Sequence, residues 1–295
     1  MKTRNLESIH NFIMSTLDNL PRIAGEIARV LDDVGIPNIL WGYAALGLVG
    51  QVKASSEIDF VIPDELLEKA ADTLVARGFE LCTARKCPAN DERKRARALA
   101  AVHFDATPEN DTMGPIQFFP KSHILWWLKE IPAGHPSPND ETLILTNDPG
   151  LPKRPQVRTA TSPIHRNLYT GYEEFVGPSG SWTETYPIKI LNPSSFTEAL
   201  LLLYCRDYHN SNDHDALQLG YDEYWKRLIL PMGEVKENEK AIVKKNLQPE
   251  FRDAWENFNM PAQPYGWEYL HDDLRDTLRK ADKLPRFPGI FRLYQ

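Results

Sequence analysis

The chain has 295 residues, 42% hydrophobic and 25% charged, with a formal net charge of -7. That composition belongs to a folded globular protein with a sizeable core, and the length exceeds the roughly 100–200 residues of one ordinary domain, which predicts two. An acidic balance argues against a coat for nucleic-acid phosphates. The three cysteines, Cys82, Cys87 and Cys205, show no C-x-x-C spacing, and no apolar leader or membrane-length run is present, so the expected place is the cytoplasm and no membrane partner is expected.

In chain order, residues 6 to 34 carry Ile9, Phe12, Ile13, Leu17, Leu20, Ile23, Ile27, Val30 and Leu31 at three- and four-residue steps, predicting two helices broken near Pro21. A short strand at about 38 to 41 leads into the apolar helix "YAALGLVG", ended by Gly50. In "SEIDFVIP" the side chains alternate, so Ile58, Phe60 and Ile62 point one way while Glu57, Asp59 and Val61 point the other. Pro63 and Asp64 open a further helix whose stop is Gly78, followed by a strand "FELCTA", a charged helix at about 90 to 99 and a strand "LAAVHFDAT" ending in Asp105.

"PIQFFPKSHILWWL" reads as a strand and an aromatic segment with Trp126 and Trp127, read mainly as packing between domains. Seven of the 23 prolines then fall between Pro132 and Pro163, which marks a connection. The rest is mostly helical: Ser195 with Glu198 reads as a capping box ahead of the buried run Leu200 to Leu203, and helices are expected at about 221 to 230, 237 to 258 and 267 to 282. The predicted organisation is a domain over 1–150, a proline-containing connection over 151–190 and a helical domain over 191–295.

Two carboxylates on one strand face, joined by a third from a neighbouring strand, repel one another unless a cation sits among them, and a hard divalent ion suits oxygen ligands. A glycine at a strand-to-helix turn can offer backbone N–H groups to phosphates. On these residues, over about 36 to 105, the sequence resembles the nucleotidyltransferase superfamily, the fold of polymerase β and of aminoglycoside and lincosamide adenylyltransferases. The "FFPKSHILWWL" and "ALLLLYCRDY" segments resemble uncharacterised fungal proteins sharing that core.

The resemblance implies an α/β (α+β) fold, a small mixed sheet with flanking helices followed by a mostly helical C-terminal domain. It implies that Glu57, Asp59 and Asp105 are the catalytic, metal-holding acids and that Gly42, Tyr43, Lys53, Ser55 and Ser56 contact the nucleotide; His103, on the strand face of Asp105, is a candidate to orient the acceptor or act as a base. Mg2+ (or Mn2+) is the implied cofactor, with a nucleoside triphosphate as substrate and a small-molecule or protein hydroxyl as acceptor. Departures from the motif are Trp41 in place of the first glycine, Lys53 for arginine and Glu57 for the first aspartate. Trp41 and Glu57 favour the alternative of a repurposed, non-catalytic member that binds another ligand, in specialised metabolism.

Blander readings stand beside these: solvent-facing acids for Glu57 and Asp59, a turn cap for Asp105, and a hydrogen-bonded core histidine for His103. The six basic residues Arg85, Lys86, Arg93, Lys94, Arg95 and Arg97 read first as a solvated helix face, and "HNSNDHD" at 209 to 215 as a polar loop rather than a metal site.

Overall fold

The computed structural model describes residues 6–50, 57–82, 100–104, 115–151, 155–157, 172–174, 180–207, 221–259 and 270–285. Helix α1 (Leu6–Asp33) is one helix of 28 residues with Pro21 inside it, where the sequence suggests a break. Leu20, Ile23, Ile27, Val30 and Leu31 are all buried, so the apolar stripe continues past the proline and packing outweighs the lost backbone bond.

Strand β1 (Ile39–Trp41) runs straight into α2 (Gly42–Val49), and β2 (Ile58–Ile62) follows. A 3-10 turn over Asp64–Leu66 leads to α3 (Leu67–Val75), after which Gly78 takes φ +90° in the expected stop. Of the strand expected in "FELCTA", the described residues 79–82 show a single bridge between Leu81 and Phe104. Strands β3 (Val102–Phe104) and β4 (Ile116–Pro120) complete a four-stranded mixed sheet in the order β1-β2-β4-β3.

In that sheet β1 is antiparallel to β2, β2 is parallel to β4, and β3 is antiparallel to β4. One face is an aromatic core, with Phe118 edge-on to Phe60 at 6.3 Å and to Phe104 at 5.5 Å. The other face is covered as well, since all five residues of β2 are buried. A sheet covered on both faces leaves no solvent-facing side for its acids.

After the short helix α4 (Lys121–Ile124), β5 (Leu143–Leu145) pairs antiparallel with β8 (Lys189–Leu191), and β6 (Pro155–Val157) pairs with β7 (Tyr172–Glu174). The helical portion comprises α5 (Pro193–Asp207), α6 (Tyr221–Gly233), α7 (Glu237–Asn246), α8 (Pro249–Asn259) and a last stretch, Leu270–Lys280, whose first turn is π-helical. The single helix expected over 237 to 258 is two, because Leu247 is extended and Pro249 restarts the helix at a first-turn position that suits it.

The start of α5 also differs from the expected capping box. Asn192 Oδ1 accepts the Ser194 and Ser195 N–H groups at 3.0 and 2.9 Å, while Glu198 accepts the Gln248 N–H at 2.5 Å. A buried glutamate thus ties α5 to the start of α8, and burial pushes its carboxyl above the usual range.

Two buried ion pairs stand out, one joining β8 to the end of α1 and one within α5. Lys189 Nζ meets Asp32 Oδ1 at 2.8 Å and the Gly134 carbonyl at 2.7 Å, and Asp32 also accepts Asn38 Nδ2 and the Tyr186 hydroxyl, each at 2.9 Å. Arg206 grips its neighbour Asp207 through Nε and Nη2, donates Nη1 to the His123 carbonyl, and lies 4.7 Å from the ring centre of Trp126. The Trp126 indole N–H donates to the Lys283 carbonyl at 3.1 Å. Among the described residues, the buried apolar side chains form one cluster from Leu20 to Leu278.

Candidate functional site

The junction of β1 and α2 is built around Gly42. Its φ is +64°, a left-handed conformation that side chains resist, and a Cβ placed there would stand 2.3 Å from Asp59 Oδ2. Glycine is therefore required twice, by the turn and by the carboxylate packed onto it. Two residues that lie 17 apart along the chain, and that the sequence singles out separately, meet here.

Asp59 is 1% exposed, and its Oδ1 accepts the Gln117 amide N–H at 2.8 Å. The register explains the contact: Trp41 faces Asp59 across β1 and β2, Asp59 faces Gln117 across β2 and β4, and Gln117 faces His103 across β4 and β3. Residues directly opposite on adjacent strands share a face. One row thus reads Trp41, Asp59, Gln117, His103, and every member of it is buried. Glu57, just ahead of β2, is half-buried and the more accessible of the two acids.

Trp41 and Tyr43, the two rings flanking the glycine, both pack onto the helical portion. The Trp41 ring lies 4.8 Å from Phe196 of α5, and Tyr43 stands edge-on to Tyr224 of α6 at 6.4 Å. Helix α5 thereby covers the Trp41 end of the row, and α2 packs on β1, β2 and α6. The indole fills the β1 side of Asp59 as part of the core.

Of the residues expected at the site, Gly42, Tyr43, Asp59 and His103 come together around this row, with Glu57 at its edge. Lys53, Ser55, Ser56 and Asp105 lie outside the described residues, as do the basic cluster and the 209 to 215 segment. The third acid is expected from a strand neighbouring that of Asp59, but β4 lies between β2 and the strand that leads to Asp105, β3. The blander reading of Asp59 as a solvent-facing acid also fails, because the carboxylate is buried and hydrogen-bonded.

Gln117 is the site residue that sequence reasoning missed. The available signal was one amide between Ile116 and Phe118 in an otherwise apolar strand, a polar group that has to find a partner inside. Its presence bears on the implied metal. Among the described residues no group of three or more histidine, cysteine, aspartate or glutamate side chains is placed to hold an ion. Across the strands Asp59 is flanked by the Trp41 indole and the Gln117 amide, and Asp105, the third acid that the resemblance implies, is not among the described residues.

No protein-family model, curated protein or solved structure matches the chain. Among the described residues no helix is long and apolar enough to cross a membrane.

Proposed function

We propose that the protein is of nucleotidyltransferase type, taking a nucleoside triphosphate and passing its nucleoside monophosphate to a small-molecule or protein hydroxyl. The observation that carries this reading is the packing of Gly42 against Asp59 at a strand-to-helix turn. The turn frees Gly42 and the residues after it to offer backbone N–H groups to phosphate oxygens, and α2 adds the positive end of its dipole. Asp59 fixes the turn from below, and Glu57, half-buried at the edge of β2, is the acid placed to meet the ligand. Neutralisation of triphosphate charge is the chemistry supplied by the Mg2+ or Mn2+ that accompanies the nucleotide.

A second reading, a repurposed member of the fold that binds its ligand without transfer, is favoured by one observation: the Asp59 carboxylate is tied to a neutral amide. Thermal melting with ATP, GTP, CTP and UTP, each with and without Mg2+, addresses both readings. A ligand at about a hundred times its Kd adds about 2.7 kcal/mol to stability, enough to move Tm by several degrees. The transfer reading expects a Mg2+-dependent upward shift, lost in Asp59→Asn and weakened in Glu57→Gln, with pyrophosphate released once an acceptor is supplied. A nucleotide shift without pyrophosphate release over a panel of hydroxyl acceptors moves the protein to the second reading. No shift in any combination overturns nucleotide binding altogether.

A further inference from the structure

We propose that the turn after the last helical stretch, residues 281–285, is a strap pinned by Lys283 that ties the Trp126 segment to the start of α8, closed at low ionic strength and released as salt rises.

The turn is set by the way the last helix ends. The Lys283 N–H reaches back to the Leu278 carbonyl at 2.9 Å and the Asp282 N–H to the Arg279 carbonyl at 3.0 Å, which places Asp282 in the left-handed region at φ 54°. Glycine is the usual occupant of such a position, and an aspartate held there carries backbone strain. Contacts from outside the helix have to hold the turn in place, and Lys283 makes them in two directions. Its carbonyl accepts the Trp126 indole N–H at 3.1 Å, while its ammonium donates to Gln248 Oε1 at 3.2 Å and pairs with Glu250. One residue thus joins parts of the chain that lie 157 and 35 positions away.

These ties differ in kind from the one beneath them. Glu198, buried in α5, holds the Gln248 N–H from inside, where dissolved ions screen little. The Lys283 and Glu250 side chains are 41% and 20% exposed, so water competes for the pair and salt weakens it. A screened pair set against a strained turn is a balance that a modest change in the medium tips. Release leaves the Glu198 tie in place, so α8 stays docked while its outer side and the Trp126 segment loosen. Glu198 follows Phe196 by two residues on α5, and the Phe196 ring packs on Trp41, so the start of α8 that the strap secures is tied to the helix covering one end of the Gly42 row.

The test is hydrogen–deuterium exchange of the full chain, read by mass spectrometry at low salt and at about 1 M NaCl, where the Debye length has fallen to about 3 Å. In the native protein, peptides covering 121–128 and 246–251 are expected to exchange about two- to fivefold faster at high salt, with those from β1 and β2 unchanged. Lys283→Gln is expected to show the faster exchange at both salt levels and to lose the salt response. Lys283→Arg, which keeps the charge, is expected to retain it. Asp282→Gly relieves the turn and touches none of the contacts, and is expected to slow exchange in the same two peptides at high salt.

The proposal is overturned if exchange of the two peptides in the native protein does not depend on salt, or if folded Lys283→Gln matches the native protein at low salt. Exchange that rises equally along the whole chain overturns it too, because that is a loss of global stability and not the release of a strap. Faster exchange in Asp282→Gly has the same force, since the left-handed turn would then store no strain.

Discussion

Asp32 and Asp59 are both carboxylates withdrawn from water, and they are held in opposite ways. Asp32 sits at the end of α1 with a lysine, an amide and a phenol donating to it, so that its charge is balanced by Lys189. Asp59 sits in the middle of a sheet with a neutral amide on one oxygen and a glycine against the other. A buried charge with a counter-ion is a structural tie. At Asp59 the tie is to the sheet itself, with the amide of the neighbouring strand on one oxygen and the β1–α2 turn packed on the other.

The contrast can be broken most forcefully at the balanced end. Lys189→Met removes the cation and leaves Asp32 charged and enclosed, which should cost about 3–5 kcal/mol in urea unfolding. Adding Asp32→Asn should recover part of that loss, because the charge goes with its partner. A double variant no more stable than the single one would show that packing of the lysine stem, and not charge balance, carries the effect.

The ion-paired side should also respond to acid. His123 is buried beside Arg206, and burial first, then the Arg206 charge, hold its imidazole down at about 4, with Asp64 and Asp207 pulling weakly the other way. In the unfolded chain the same group titrates at its ordinary value of 6.5. The neutral ring thus favours the fold fully above that value, and the contribution fades as pH falls towards 4, on the order of 3 kcal/mol in total. Unfolding free energies measured between pH 7 and 4.5 should slope less steeply in His123→Gln than in the native protein. Parallel slopes would mean that the histidine is not the group responsible.

The smallest effect belongs to the glycine that Asp59 rests on. Gly42→Ala imposes a left-handed conformation on a residue with a Cβ and drives that atom into Oδ2, for a loss of about 2 kcal/mol. Made in an Asp59→Ala background, the same change should cost only the backbone strain, about 1 kcal/mol. Equal costs in the two backgrounds would mean that the carboxylate moves aside freely and that the contact does not define the turn.

The sequence carried the strand, glycine, helix and acid-bearing strand in their right order, because alternation in "SEIDFVIP" and a glycine at a turn are local signals. It did not carry which strand would lie beside which. The neighbour of β2 is chosen by the packing of four strands, and a lone glutamine between Ile116 and Phe118 gives no local hint of the carboxylate it will meet. Helix ends were misjudged for the same reason: Pro21 is absorbed by a buried stripe, Glu198 is drawn away from its own helix by the Gln248 N–H, and Asn192 takes the cap instead. In each case a contact from a distant part of the chain outweighed the local preference.

The parallel pairing of β2 with β4 has a kinetic side. Asp59 and Gln117 are 58 positions apart, and their hydrogen bond closes a loop that contains α3 and the outer strand β3. Loop-closure entropy has to be overcome before such a contact returns anything, and non-local parallel pairing is among the slower events in folding. The entropy of closing that loop is therefore the barrier against which the β2–β4 pairing, and with it the Asp59–Gln117 contact, has to form.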